Sequence, residues 1–353
     1  MKLKLYILLL LIFIIAGSGW ITIENRPKPL HFETPAGWPV PSYNFSENPL
    51  TEEAFQLGRK LFYDGRLSKD GNFPCASCHQ QFAAFATYDH NVSHGINNSF
   101  TERNSPPLFN LAWQKEFMWD GGVNHLDVQP LTPITAVNEM GESIDSVLQK
   151  LRNDNVYKKM FKDAFGSDEI NTKRMSQALS QFLLMIVSSE SKYDRVMRGK
   201  DSFNLPERLG YAIFKNKCAS CHQEPLFTDF SYRNTGLPQD DYIKDEGRKR
   251  VTRKPEDSLK FRVPSLRNIQ LTFPYEHDGR FYSLKEAIMH YRNKKEGSNV
   301  DPLVKNGIPL SNFEVGQLTA FLYTLTDSAL LTDKRFSPPE LDRSEAPPAE
   351  HIH

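Results

Sequence analysis

Four cysteines stand in the 353-residue chain, and each pair is followed at once by a histidine: Cys75-Ala-Ser-Cys78-His79 and Cys218-Ala-Ser-Cys221-His222. C-x-x-C-H is the attachment signature of c-type haem. Two thiols add across the vinyl groups, and the tethered ring is held where the adjacent imidazole reaches the iron. Zinc ribbons also pair C-x-x-C, but with about 15–20 residues between the pairs and without a His after each. A thioredoxin-like dithiol would be one motif in a βαβ context, which this sequence lacks. Both motifs together consume every cysteine, so no disulfide framework remains. The expected cofactors are two covalently bound c-type haems, at Cys75, Cys78 and His79 and at Cys218, Cys221 and His222.

The opposite face of each iron calls for a His, Met or Tyr. In the first half His90, His94 and His125 follow His79, and residue chemistry alone does not choose among them. In the second half Ser283-Leu-Lys-Glu286 is a capping box that opens a helix. At 100° per residue, Leu284, Ala287, Ile288 and Tyr291 share one face, and Met289 lies about 160° from Tyr291. Tyr291 therefore looks inward, either as an iron ligand or as a core tyrosine with its hydroxyl bonded locally.

The elements that must position these groups read as mainly α. Helical periodicity starts near Thr51, with apolar Ala54, Phe55, Leu57, Leu61 and Phe62. Residues 143–198 read as helical throughout, with one helix from Ser143 and a longer one from Asn171 to Tyr193. A linker near Gly199–Leu205 leads to a helix from Glu207, and Ser311-Asn-Phe-Glu314 opens a last helix ending near Asp327. Residues 26–50 read as an extended lead-in. Residues 80–142 and 225–282 form long irregular loops, a pattern that usually marks function. The two halves repeat one plan of helix, cysteine pair and long loop. This divides the chain into domains at 45–200 and 201–335, with a disordered tail over 336–353.

Composition narrows the classes further. Lys+Arg and Asp+Glu both number 43, which argues against nucleic acid as a partner. A mean hydropathy of -0.51 excludes a polytopic membrane protein. Lys2 and Lys4 precede the apolar run Leu5–Ala16 and the small residues Gly17, Ser18 and Gly19. That is the plan of an export signal over residues 1–25, either cleaved or kept as a single anchor. The expected location is the periplasm, which suits c-type haem attachment.

Further motifs resemble the bacterial di-haem cytochrome c peroxidases and the related MauG-type enzymes. They are Leu61-Phe62-Tyr63-Asp64 with Arg66-Leu67-Ser68, Arg103-Asn104-Ser105-Pro106, Trp119-Asp120-Gly121, Val263-Pro264-Ser265-Leu266-Arg267-Asn268, Leu271-Thr272-Phe273-Pro274 and His277-Asp278-Gly279-Arg280. The resemblance runs from about residue 50 to 330 and implies two cytochrome-c-like haem domains. It makes the His79 haem the peroxidatic, low-potential one, with His94 as a removable distal ligand and Asp127 as the acidic residue of the peroxide pocket. Phe117 stands where a Gln is expected, so the pocket reads as altered. The His222 haem becomes the electron-transfer one. Tyr291 stands where the peroxidases place a Met and the MauG-type enzymes an axial Tyr. The resemblance also implies one calcium ion between the domains, held at Asn104, Thr272 and Pro274.

The function so implied is a peroxidase reducing hydrogen peroxide to water with electrons from a small redox protein, a cytochrome c or a cupredoxin. The alternative is a MauG-like oxidase acting on a protein or small molecule through high-valent haem; Tyr291 favours it and His94 counts against it. A pure electron carrier is a third reading, which Asp127 and the long loop at 80–142 oppose, since a carrier needs no peroxide pocket. Members of the family are often dimers, so a homodimer is a further expectation.

Overall fold

The structure, a computed structural model, describes residues 26–241, 243–297 and 299–339. Residues 1–25, where an export signal is expected, lie outside these. No helix among the described residues is long and apolar enough to cross a membrane.

The first half is built on α1 (Glu52–Phe62), α2 (Ile144–Arg152), α3 (Asn155–Phe165) and α4 (Thr172–Leu184). Each starts where a polar side chain takes up an orphan backbone N–H: Thr51, Ser143, Asp154 and Asn171. The face of α1 predicted to be apolar is buried against α4. A Cβ on Gly58 of α1 would lie 1.9 Å from the Ala178 carbonyl oxygen of α4. Only glycine lets these two backbones approach so closely.

The helix expected from Asn171 to Tyr193 is two helices. α4 ends at Leu184, and α5 spans Lys192–Met197. Between them the chain turns to side-chain partners: Asn110 Oδ1 accepts from Ser188 N at 2.8 Å, and Ser191 and Asp194 form a capping box. The run Ile186-Val187-Ser188-Ser189 supplies the β-branched and serine residues that favour such alternatives over helix.

The second half is built on α6 (Leu205–Lys217), α7 (Leu284–Arg292) and α8 (Asn312–Tyr323), each opened by a complete capping box. α6 starts two residues before the expected Glu207, because Asn204 is its cap and Glu207 the reciprocal partner. Gly210 repeats the role of Gly58: a Cβ there would lie 1.9 Å from the Gln317 carbonyl oxygen of α8. α8 ends at Tyr323, short of Asp327, which instead caps α9 (Ser328–Thr332). Among the described residues, strand structure is confined to β1 (Tyr232–Arg233) and β2 (Phe261–Arg262), antiparallel, with Tyr232 opposite Arg262. The class is mainly α, as the sequence predicts.

Two apolar cores result, one around Phe62, Tyr157, Phe161 and Phe182 and one around Phe214, Phe227, Leu318 and Phe321. The end of the described chain crosses back to the first. Phe336 is buried there, its ring 6.1 Å from Phe182 and 6.3 Å from Phe55, and its carbonyl accepts from the Tyr63 hydroxyl at 2.6 Å. The disordered tail expected from residue 336 therefore does not begin there, because apolar burial and a hydrogen bond hold that residue. Gln81 Nε2, just past His79, donates to the carbonyls of Leu330 at 3.1 Å and Asp333 at 2.8 Å. At the other end the lead-in segment lies across both halves: Trp113 Nε1 donates to Pro39 O at 2.7 Å, and the Trp38 ring stacks 4.6 Å from the Arg267 guanidinium. Arg267 is fully buried and pairs with Asp194 through both oxygens, at 2.7 and 2.8 Å.

Candidate active site

Each C-x-x-C-H motif forms a tight turn whose imidazole is anchored from behind. His79 Nδ1 lies 3.0 Å from the Phe85 carbonyl oxygen, and His222 Nδ1 lies 3.1 Å from that of Phe227. A ring that donates its Nδ1 proton to a carbonyl keeps a lone pair on Nε2 for a metal. Burial keeps both rings neutral, pulling His79 down to about 4 and His222 below its ordinary value. Burial also pushes the thiols of Cys75 and Cys218 up to about 12, so these sulfurs are protonated thiols.

His79 faces a cavity of about 360 Å³ whose lining includes Leu111, Phe117, Trp119, Gln129 and Glu139. A smaller space of about 60 Å³, sharing His79, Gln129 and Glu139, adds Cys75, Cys78 and His94. His222, Cys218 and Cys221 face a cavity of about 570 Å³. The α7 residues Leu284, Ala287, Ile288 and Tyr291 line it, while Met289 and His290 do not. Met289 Sδ instead lies 3.0 Å from Arg292 Nη1, and His290 Nε2 lies 3.0 Å from the Thr235 carbonyl oxygen. The helical phase read from the sequence is the phase of the structure. Burial, reinforced by the Glu276 carboxylate, raises the Tyr291 phenol well above its ordinary value. Only a strong Lewis acid in that cavity would draw it into the phenolate form.

Asn104, Pro107, Trp119 and Arg262 line both the 360 Å³ cavity at His79 and the 570 Å³ cavity at His222 and form the wall between them. Trp119 Nε1 donates to the Asn104 carbonyl oxygen at 2.8 Å, and Arg262 N donates to that of Trp119 at 2.7 Å. Around this wall the halves are tied by Arg103, which bonds Asp120 at 2.7 Å and Asp245 at 2.6 and 2.8 Å. Thr272 and Pro274 line the second cavity beside Asn104. The Asn104 amide nitrogen donates to the Asn91 carbonyl oxygen at 3.0 Å, and no donor among the described residues reaches its Oδ1. These neutral loop oxygens suit a hard cation. No group of three or more His, Cys, Asp or Glu stands together as a metal site among the described residues.

The structure separates the other predicted residues. His94 lines the smaller space beside His79, exposed at its rim, with its ring 4.7 Å from Phe100. His90 and His125 line neither cavity. Asp127 also lies outside the cavities: it accepts the Tyr43 hydroxyl at 2.8 Å, and its backbone N–H donates to His125 Nδ1 at 3.2 Å. Glu139 does line the His79 cavity, and burial pushes its carboxyl above its ordinary range. Gln129 lines the same cavity, as does Phe117, where the resemblance called for a Gln. Glu139 and Gln129 reach the site from irregular backbone, where periodicity gives no signal. The Glu139-Met140 pair after the short helix Leu131–Thr135 is the only local cue.

In the second cavity thiols, a neutral imidazole with a free nitrogen and a volume within the usual range of cofactor pockets fit haem; around His79 the same groups are shared between the 360 Å³ cavity and the adjoining 60 Å³ space that Cys75 and Cys78 line. A model of the family described as di-haem cytochrome c peroxidase matches residues 52–202. The methylamine utilization protein MauG of Methylophilus methylotrophus is 33% identical over 334 residues, covering 92% of this chain and 96% of its own. The cytochrome c551 peroxidase of Nitrosomonas europaea is 32% identical over 284 residues, 79% of this chain and 81% of its own. A solved MauG-like protein associated with microbial copper homeostasis superimposes with a TM-score of 0.80 at 32% identity, covering 88% of this chain and 99% of its own. The diheme peroxidase BthA from Burkholderia thailandensis shares the fold, with a TM-score of 0.70 at 22% identity over 82% of this chain and 91% of its own. With a third of its residues identical across nearly its whole length, the chain belongs to the di-haem cytochrome c peroxidase and MauG family of haem-dependent oxidoreductases.

Proposed function

We propose that this chain is an exported, periplasmic di-haem peroxidase that reduces hydrogen peroxide at the His79 cavity. Electrons enter at the His222 cavity from a small redox protein. The observation that carries the reading is the lining of the His79 cavity, where an acid raised by burial, Glu139, stands with an amide, Gln129, beside Phe117 and Trp119. Bound haem, attached through Cys75 and Cys78 and through Cys218 and Cys221, supplies the redox chemistry. Each turnover consumes one peroxide, two electrons and two protons and releases two waters. Glu139 holds a proton at its carboxyl and can exchange it with a peroxide oxygen in the cavity. Gln129 orients that peroxide through its amide. His94, at the rim, can close or open the smaller space beside His79. Trp119 offers an aromatic path through the wall between cavities. A calcium ion at Asn104, Thr272 and Pro274 would fix the same wall.

A second reading, oxidation of a protein or small molecule in the manner of MauG, is favoured by Tyr291 on the lining of the second cavity. A phenolate ligand stabilises ferric iron relative to a thioether, which lowers the potential of that haem and makes it harder for an external donor to reduce. The separating experiment is peroxide consumption by the full chain with reduced cytochrome c or cupredoxin as donor. Donor-dependent turnover supports the peroxidase. Peroxide uptake without donor oxidation, leaving a long-lived oxidised spectrum, supports the second reading and overturns the first.

A further inference from the structure

Arg262 is the one wall residue with a permanent charge. It is 8% exposed, and its Nε has no hydrogen-bond partner. No carboxylate among the described residues pairs with its guanidinium. The neighbouring acids are engaged elsewhere: Asp120 and Asp245 with Arg103, and Glu102 with Arg250. Asp301 pairs with Arg233, and the remaining cavity acids, Glu139 and Glu276, form no ion pair with it. The surroundings do not supply an anion; Tyr232, across the β ladder, presents a hydroxyl that is itself unpartnered. A buried charge without a counter-charge is costly. Burial already drags the Arg262 guanidinium down to about 10. A protein retains such a group where a ligand completes it, and Arg262 lines both cavities.

We propose that Arg262 is the shared counter-cation for the propionate carboxylates of both haems, reaching one group on each side of the wall. This rests on the haem reading above. A planar fork of five N–H donors suits two carboxylates at once, where an ammonium would act as a single point charge. Placed between the cofactors, one fixed positive charge raises both reduction potentials together, because it favours the state with the added electron. The residue thus couples the haems electrostatically without touching either iron.

The test is redox titration of the holoprotein in Arg262→Met, Arg262→Gln and Arg262→Lys, with covalent haem counted by pyridine haemochrome. Gln keeps a polar group at the wall and serves if the Met variant does not fold. In the neutral variants both haems stay attached and both potentials fall, each by about tenfold in the ferric-to-ferrous ratio, 59 mV for a one-electron couple. Arg262→Lys restores most of the shift in at least one haem. Two attached haems with unmoved potentials overturn the role of Arg262 alone. A fall confined to one haem overturns the sharing. Absence of covalent haem from the unaltered chain overturns the haem reading, and this inference with it.

Discussion

The two candidate acids of the first half make opposite predictions. Glu139 lines the His79 cavity with a carboxyl pushed upward by burial; Asp127 lies outside it, tied to Tyr43 at 2.8 Å. Glu139→Gln keeps the shape and removes the exchangeable proton. General acid–base assistance is worth about 10²–10⁴-fold, or about 3–5 kcal/mol of barrier. That is the expected loss in kcat/KM for peroxide, with both haems retained. Asp127→Asn acts on folding instead. The bond from Tyr43 weakens from a charge-assisted one, worth about 1.5–3 kcal/mol, to a neutral one of about 0.5–1.5, so about 1 kcal/mol is lost. At this chain length that lowers Tm by about 2 °C or less, while turnover stays within about twofold of the unaltered enzyme. Stopped-flow peroxide kinetics and calorimetry on the two variants decide the matter. A hundredfold loss of turnover in Asp127→Asn with its fold intact, and none in Glu139→Gln, would refute the placement of the acid.

Cys75→Ala and Cys218→Ala each lose one covalent haem per chain by pyridine haemochrome; two haems retained in either contradicts the attachment sites. Tyr291→Phe changes the electron paramagnetic resonance spectrum of the second iron while Met289→Leu leaves it alone, since only Tyr291 lines that cavity; the reverse pattern rejects Tyr291 as ligand. Asp194→Asn strands the buried Arg267 and costs about 3–5 kcal/mol by denaturant unfolding. Burial pushes Asp194 up, but the Arg267 hydrogen bonds outweigh it and hold the carboxyl below its ordinary value. Its stabilisation is therefore present above the unfolded value and lost as pH falls through the folded one, and the variant should show a flatter acid limb. Phe336→Ala costs about 3–5 kcal/mol and destabilises the first core, which calorimetry shows as a lowered or split transition.

The elements legible in the sequence are those with a local rule behind them. Ser283 with Glu286 and Ser311 with Glu314 announce their helices because both partners of each capping box lie within one turn. Tyr291 is assignable to the inner face because helical phase is fixed by geometry. The break after Leu184 is less legible, since it depends on Asn110, a partner far away in sequence. Glu139 and Gln129 are less legible still. They reach the cavity from loop backbone, which has no period, and Asp127 has the same chemistry in the same stretch. Phe336 resembles a tail residue among prolines and charges, and only the distant rings of Phe55 and Phe182 give it a place to go.

That return of the chain sets an order of events during synthesis. Phe62, Phe85 and Phe182 leave the ribosome long before Phe336, so the first core lacks one of its walls until almost the last described residue is delivered. The segment beside the first motif waits as well, because Gln81 is latched by the carbonyls of Leu330 and Asp333. The second motif has no such delay, since its core draws on residues no later than Leu325. A chain cut short before residue 328 would complete its later half and leave its earlier one ajar.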